Sequence, residues 1–296
     1  MRVLVTGGSG LVGRFIVRRL AADDHDVTIA GRREPDQALF PGAVDFHLSD
    51  LDPDADYTSV VEGFDCLVHA AFSHVPGRYR GGEGDDVAGF RKRNLDATVK
   101  LFKTAAESGV KRGVFLSTRA VYGNHPAGTK LLETTSCNPD TEYGAVKRAC
   151  EIRLQTLSQN SPLSVASLRI TGVYGQSPPD TTHKWEDLFA DYLAGEPVGA
   201  RCGTEVHGVD VASAVALLLE QPVETVSGEI FNVSDILVDR HDLLDMVRLQ
   251  TGCSHALPGR SDSLPNSMDT EKLRGLGWRP GGLPLLKKSV TGMLTR

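Results

Sequence analysis

Cysteine is scarce and scattered. The five residues Cys66, Cys137, Cys150, Cys202 and Cys253 are odd in number and never spaced as CxxC, which excludes a disulfide or zinc framework and fits thiols in a reducing compartment. Basic charge is not in excess: the net charge is −6, so neither a nucleic acid nor an anionic membrane is an expected partner. No apolar run approaches about 18 residues, and the chain enters a strand at once without a basic and apolar leader, so neither export nor membrane spanning is expected. No His/Cys/Asp/Glu cluster has metal-ligand spacing, no GxSxG elbow suggests a serine hydrolase, and there are no internal repeats or low-complexity tails. What remains is a cytoplasmic globular protein. Its 296 residues, 40% apolar and 24% charged, suffice for one large domain or two closely joined ones.

Against these absences, glycine is concentrated where it matters. In Arg2 to Gly13 (RVLVTGGSGLVG), an apolar run reads as a buried strand, and Leu11, Val12, Phe15, Ile16 and Leu20 then recur at helical spacing. The turn between them holds Gly7, Gly8, Gly10 and Gly13. Such a turn lets backbone N–H groups approach a pyrophosphate, with the positive end of the following helix behind them. Gly13 has no side chain to keep that helix off the strand. A strand–turn–helix in this form predicts a dinucleotide site.

The next strand, Val27 to Ala30, runs into Gly31, Arg32 and Arg33. An NAD site is expected to carry a carboxylate here for the ribose diol; two guanidiniums suit a 2′-phosphate better. NADP is therefore the preferred cofactor, with NAD the second choice. Val44 to Phe46 is the following strand, and Asp50 and Leu51 come after it, where a carboxylate can meet the adenine amine. Cys66 to Ala71 reads as another buried strand, whose small Ala70-Ala71 end leaves room for a ligand. Gly77 to Gly84 reads as a mobile loop. Asn94 to Ala106 has helical periodicity with Asn94 near its start, and Gly113 to Ser117 is a further strand. The alternation predicts an α/β fold: a Rossmann-type, doubly wound parallel sheet with helices on both faces.

That last strand exits through Ser117, Thr118 and Arg119. Ligands sit beyond the carboxyl ends of parallel strands, so Thr118 lies where chemistry is expected. A helix starting near Asp140 or Thr141 then carries Tyr143 and Lys147, four apart and on one face.

The ordered set TGGSGLVG, HAA at His69 to Ala71, Asn94, LSTRAVYG at Leu116 to Gly123, YGAVK at Tyr143 to Lys147, LRITGVYG at Leu168 to Gly175, VHGVDVA at Val206 to Ala212 and GEIFNVS at Gly228 to Ser234 resembles the extended short-chain dehydrogenase/reductase family. Within it the chain is similar to the NAD-dependent epimerase/dehydratase branch, down to the tail LRGLGWRPGG at Leu273 to Gly282. The resemblance implies that Tyr143 is the general acid or base. Lys147 would hold the nicotinamide ribose and lower the phenol's pKa, ordinarily about 10. Thr118 would hydrogen-bond the substrate oxygen, and Asn94 would support the proton-relay end. Gly7, Gly10 and Gly13, with Ser9, Leu11 and Val12 of the same turn, would line the pyrophosphate. Asp50, Leu51, Ala70 and Ala71 would line the adenosine, and Val173 the nicotinamide.

Departures from the family pattern narrow the chemistry. The Asp-Glu pair of sugar-nucleotide dehydratases is replaced by Arg119 and Ala120, which argues against water elimination. Family members carry Asn where Gly172 stands and Arg where Gly203 stands, both serving substrate phosphates; Arg201 is the nearest substitute. The tail motif and these missing ligands point in opposite directions. Arg119 is a candidate clamp for an anionic substrate group, its alternative being a surface ion pair. Ser73 and His74 are expected to border the substrate. Residues 1–170 are expected to form the dinucleotide-binding unit, rejoined by 206–236. The remainder, 171–296, is read as a substrate-binding lobe in which Trp185, His183 and Tyr192 serve packing, their alternative being to shape specificity.

The expected activity is hydride transfer between NAD(P) and a carbonyl or secondary alcohol of a sugar-like substrate. Two alternatives stand beside it: a nucleotide-sugar 4-epimerase, and a non-catalytic dinucleotide sensor. The helices at Leu95 to Ala106 and Tyr143 to Leu157 are the expected contact of a homodimer.

Overall fold

The computed structural model describes residues 1–75, 78, 81–179 and 182–295. Gly77, Tyr79 and Arg80 of the expected Gly- and Arg-rich loop lie outside the described residues. Strand β1 (Arg2–Thr6) leads into α1 (Leu11–Ala22), β2 (Asp26–Gly31), β3 (Asp45–Leu48), α2 (Thr58–Val61) and β4 (Cys66–His69). Then come α3 (Val87–Arg91), a π-turn at Lys92–Asp96, α4 (Ala97–Glu107), β5 (Arg112–Thr118), β6 (Lys130–Leu131), α5 (Glu142–Asn160) and β7 (Ser164–Ile170). The chain continues through β8 (Gly172–Tyr174), α6 (Glu186–Ala194), β9 (Cys202–His207), α7 (Gly208–Glu220), α8 (Val223–Val226) and β10 (Ile230–Val233). It closes with β11 (Ile236–Asp239), α9 (Arg240–Thr251), β12 (Ser267–Met268), α10 (Glu271–Gly275) and α11 (Gly282–Leu294).

Seven strands form one parallel sheet in the order β10-β7-β5-β4-β1-β2-β3. The order departs from β1 in both directions, which opens a crevice beyond its carboxyl end. Side chains alternate between two cores, as a strand buried on both faces requires. Val3 and Val5 face a cluster with Phe15 and Ile16 of α1 and Val211 and Val215 of α7. Leu4 faces the opposite cluster, with Leu101 and Phe102 of α4 and Val146 and Leu154 of α5. The dinucleotide-fold expectation is met by this arrangement.

A second sheet, β11-β9-β8, has β9 parallel to β8 and antiparallel to β11. Tyr174, Phe189, Tyr192, Leu243, Leu244 and Val290 form the core behind it, and Trp185 is buried there too. Strand β10 lies in the large sheet beside β7, and α7 packs on α1 across the shared cluster.

Two local expectations change. The helix expected from Asn94 begins earlier, at Val87, where the Asp86 carboxylate accepts the Gly89 N–H at 2.8 Å. Its polar opening hides that start, and the π-turn interrupts it with Asn94 inside. The strand expected to reach Ala71 stops at His69. Among the described residues no helix is long and apolar enough to cross a membrane.

Candidate active site

The β1–α1 turn packs so closely that glycine is required at two of its positions. Gly7 adopts φ +71°, and a Cβ there would lie 2.6 Å from the Ala71 nitrogen. A Cβ on Gly13 would collide with the Gly7 carbonyl oxygen, so α1 rests directly on the turn. Gly10 closes it, donating to Gly7 O at 3.1 Å and accepting from Arg14 N–H at 2.9 Å.

Above this turn lies a cavity of about 320 Å³ whose walls include Gly7, Ser9, Gly10, Arg32, Asp50, Leu51, Ala70, Ala71, Ser73 and His74. Tyr57, not anticipated from the sequence, fixes the Asp50 corner. Its buried hydroxyl donates to the Asp50 and Asp52 carbonyls and accepts the Asp52 N–H, each at 2.9 Å.

A larger cavity of about 880 Å³ adjoins it, and the two share Ala70 and Phe72 on their walls. Val12, Thr118, Arg119, Tyr143, Lys147 and Val173 all line the larger one. Leu11, Gly13, Arg33 and Asn94 line neither: Leu11 packs on the core, Gly13 lies under the turn, and Arg33 is exposed. Asn94 is 2% exposed, and its amide is turned to Ser73, accepting from its N–H and donating to its carbonyl at 2.7 Å each. Its own carbonyl, displaced by the π-turn, accepts from Thr98 Oγ1 and Cys150 Sγ.

Helix α5 aims the pair Tyr143 and Lys147. Thr141 Oγ1 accepts the Gly144 N–H at 3.1 Å as an N-cap, and a Cβ on Gly144 would stand 2.5 Å from Ala120 O. The helix start is thereby set against the turn that follows Thr118, whose Oγ1 accepts the Ala120 N–H at 3.2 Å. Tyr143 meets Phe72 edge-on, centroids 4.9 Å apart. Lys147 is 4% exposed and donates to Leu116 O at 2.6 Å; its ammonium stands 4.8 Å from the Phe72 ring and 4.6 Å from Phe115. Burial pulls it down from 10.5 to about 8. Arg119 lines the larger cavity and donates to Asn266 O at 3.2 Å.

Behind these residues runs a buried polar network that no local spacing announces. Glu151, one helical turn beyond Lys147, takes both arms of Arg169 at 2.8 and 3.0 Å and the Ser117 hydroxyl at 2.5 Å. Arg169 also stands 4.6 Å over the Tyr122 ring. On the other side His69 joins Thr6 Oγ1 at 2.7 Å and Thr98 Oγ1 at 3.0 Å, and burial, with Lys147 nearby, pulls its imidazole down to about 3. His69 is thus a neutral clamp between β1, β4 and α4.

A doubly wound parallel sheet, a glycine turn flush with its first helix and two neighbouring cavities that share Ala70 and Phe72 place the fold in the Rossmann class. Residues 3–234 match the model of the NAD dependent epimerase/dehydratase family, and the chain belongs to that family. It is 25% identical to a UDP-glucose 4-epimerase of Lactobacillus helveticus over 95% of this chain and 92% of that protein. A Vibrio cholerae UDP-glucose 4-epimerase is 31% identical over 58% of this chain, which spans about half (52%) of that relative. Among solved structures, the Thermus thermophilus UDP-glucose 4-epimerase in complex with NAD superposes with a TM-score of 0.78 at 28% identity, covering 99% of each chain.

Proposed function

We propose that the protein transfers hydride between NADP and a carbonyl or secondary alcohol of a sugar-like substrate, with Tyr143, Lys147 and Thr118 at the reacting end. The observation that carries this reading is the convergence of those three side chains on a cavity that shares Ala70 and Phe72 with the wall of the glycine-turn cavity.

The chain fits a dinucleotide because Gly7 and Gly10 bring bare backbone to the wall of the smaller cavity, and Gly13, under the turn, lets α1 rest directly against it. The backbone of the Gly7–Gly13 turn would hold the pyrophosphate, with Asp50, Leu51, Ala70 and Ala71 around the adenosine and Val173 and Lys147 at the nicotinamide riboside. Strand β2 ends in Ala30 and Gly31 with no carboxylate, and Arg32 lines the smaller cavity, which supports NADP; Arg33 would approach the same phosphate from outside. When bound, the nicotinamide supplies or accepts the hydride. Thr118 holds the substrate oxygen, and Tyr143 gives it a proton or takes one from it. The Lys147 ammonium favours the ionised phenol, and Asn94 keeps Ser73 at the rim. In this reading residues 1–170, rejoined by 206–236, carry the cofactor, and the rest forms the substrate lobe.

Tyr143→Phe should abolish turnover, measured as NADPH absorbance at saturating substrate, while NADPH affinity stays within about threefold; retained turnover refutes the assignment. A second reading, 4-epimerisation of a nucleotide sugar, is favoured by the activity named for the Lactobacillus and Thermus relatives. Protein that retains its cofactor on purification and interconverts sugars without net cofactor turnover would establish it instead.

A further inference from the structure

Phe72 follows the Ala70-Ala71 end of β4 and lines both cavities. Its ring meets both members of the pair that α5 aims. The Lys147 ammonium stands over it, 4.8 Å from the centroid, with the Phe115 ring 4.6 Å away as a second aromatic neighbour. The Tyr143 ring meets it at an interplanar angle of 89°. Phe72 is itself held in place. Phe90 of α3, 2% exposed, packs across its ring with centroids 5.4 Å apart. The Asn94 amide accepts the Ser73 N–H at 2.7 Å and donates to the Ser73 and Phe90 carbonyls at 2.7 and 2.9 Å. The backbone beside Phe72 is thereby tied to the helix that carries Phe90.

The buried ammonium has few charged groups to lean on. Leu116 O on β5 accepts from it at 2.6 Å. Burial holds His69 on β4 neutral and keeps the Cys150 thiol on α5 protonated. The Glu151 carboxylate, one helical turn beyond, is already matched by Arg169 and Arg148. Tyr143 is the other titratable group on this face of α5. The negative face of an aromatic ring attracts a cation most strongly where water is excluded, and that is the environment of Lys147. We propose that Phe72 is a positioning residue for the reaction: its π-face stabilises the Lys147 ammonium and its ring seats Tyr143, so that the pair is aligned before a cofactor arrives. This rests on the hydride-transfer reading for the roles of Tyr143 and Lys147. Asn94, which lines neither cavity, then acts on the pair through Ser73 and Phe72.

Pentafluorophenylalanine installed at position 72 keeps the ring but reverses its quadrupole, a change that a space-filling role would not register. In cofactor-free protein, urea unfolding across pH is compared with that of the same protein carrying Lys147→Met. The pH at which the gap between the two begins to close reads the deprotonation of the ammonium. That pH should fall by about one unit in the fluorinated protein, and the alkaline limb of kcat at saturating NADPH should move with it. Phe72→Leu removes the π-face and the seat together, and should lower kcat about tenfold or more while the KM for NADPH stays within about threefold. A gap that closes at the same pH in both proteins, a kcat profile that does not move, or a kcat within about twofold of wild type in Phe72→Leu overturns the positioning role. If Tyr143→Phe retains turnover, the hydride-transfer reading fails and the cofactor-free shift is still read. If Tyr143→Phe abolishes turnover and the shift is absent, that reading stands and the role of Phe72 falls.

Discussion

Replacing Lys147 by Met separates the cost of this ammonium from its use. Its pKa falls from 10.5 to about 8 because burial strips the charged form of water. At about 1.36 kcal/mol per pKa unit, that fall corresponds to a destabilisation of roughly 3 kcal/mol at neutral pH. Met retains the packing of the aliphatic stem against Phe72 and Phe115 but leaves Leu116 O without its donor, a loss of about 1 kcal/mol. Cofactor-free Lys147→Met should therefore be about 2 kcal/mol more stable than wild type at pH 7. The sign with pH follows from the lowered value. Below the folded pKa both folded and unfolded states carry the charge and the penalty is complete; between about 8 and 10.5 only the unfolded state binds the proton, so wild-type stability rises. Above that window the penalty is gone. The variant's advantage should shrink through alkaline pH and reverse, as read by urea unfolding of both proteins at matched pH. A gap independent of pH, or a variant less stable at pH 7, refutes the reasoning. The same substitution should lower turnover on the order of a hundredfold or more, because the phenol loses its neighbouring cation.

Two further outcomes test the surrounding framework. Arg169→Met removes the bidentate partner of the buried Glu151 carboxylate, leaving the partly exposed Arg148 and the Lys147 ammonium nearby as counter-charges, and should cost about 3 kcal/mol in urea unfolding; a loss below about 1 kcal/mol would mean that these two cations or water suffice to hold the charge. Arg32→Ala should raise the KM for NADP about tenfold and leave that for NAD within about twofold, through loss of one charge-assisted phosphate contact; equal changes for both cofactors would remove the argument for NADP.

Legibility follows sequence distance. The Gly7–Gly13 turn and the Tyr143–Lys147 face are readable because a few adjacent residues state them completely: apolar period, missing side chains, spacing of four. Phe72 is readable only as the residue after Ala70-Ala71, and nothing local shows that it lines both cavities and packs on Tyr143. Glu151 with Arg169, and Gly172 with Glu205, are pairings across strands and layers that leave no periodic trace in the chain. Asn94 stands out in the sequence by its place on a helix, but the π-turn that directs its amide to Ser73 depends on the fold around it.

The tail carries a lesson about motifs. The stretch LRGLGWRPGG resembles the tail of sugar-nucleotide members of the family, yet none of its residues lines either cavity. Trp278 Nε1 instead donates to Asp210 O at 2.9 Å and Ser213 Oγ at 3.2 Å, both on α7. The Gly281 and Gly282 N–H groups donate to the Asp210 and Asp235 carboxylates, and burial pushes the Asp210 carboxyl up to about 6. The tail is therefore a clasp between α7 of the large unit and the approach to β11. Helix α11 then delivers Leu286, Val290 and Met293 to the core behind the small sheet. The tail thus anchors the small sheet from behind, while the face on which Glu205 lies opposite Gly172 is formed by other residues. The tail and the cavity wall can therefore vary independently, because one belongs to the support and the other to the surface it supports.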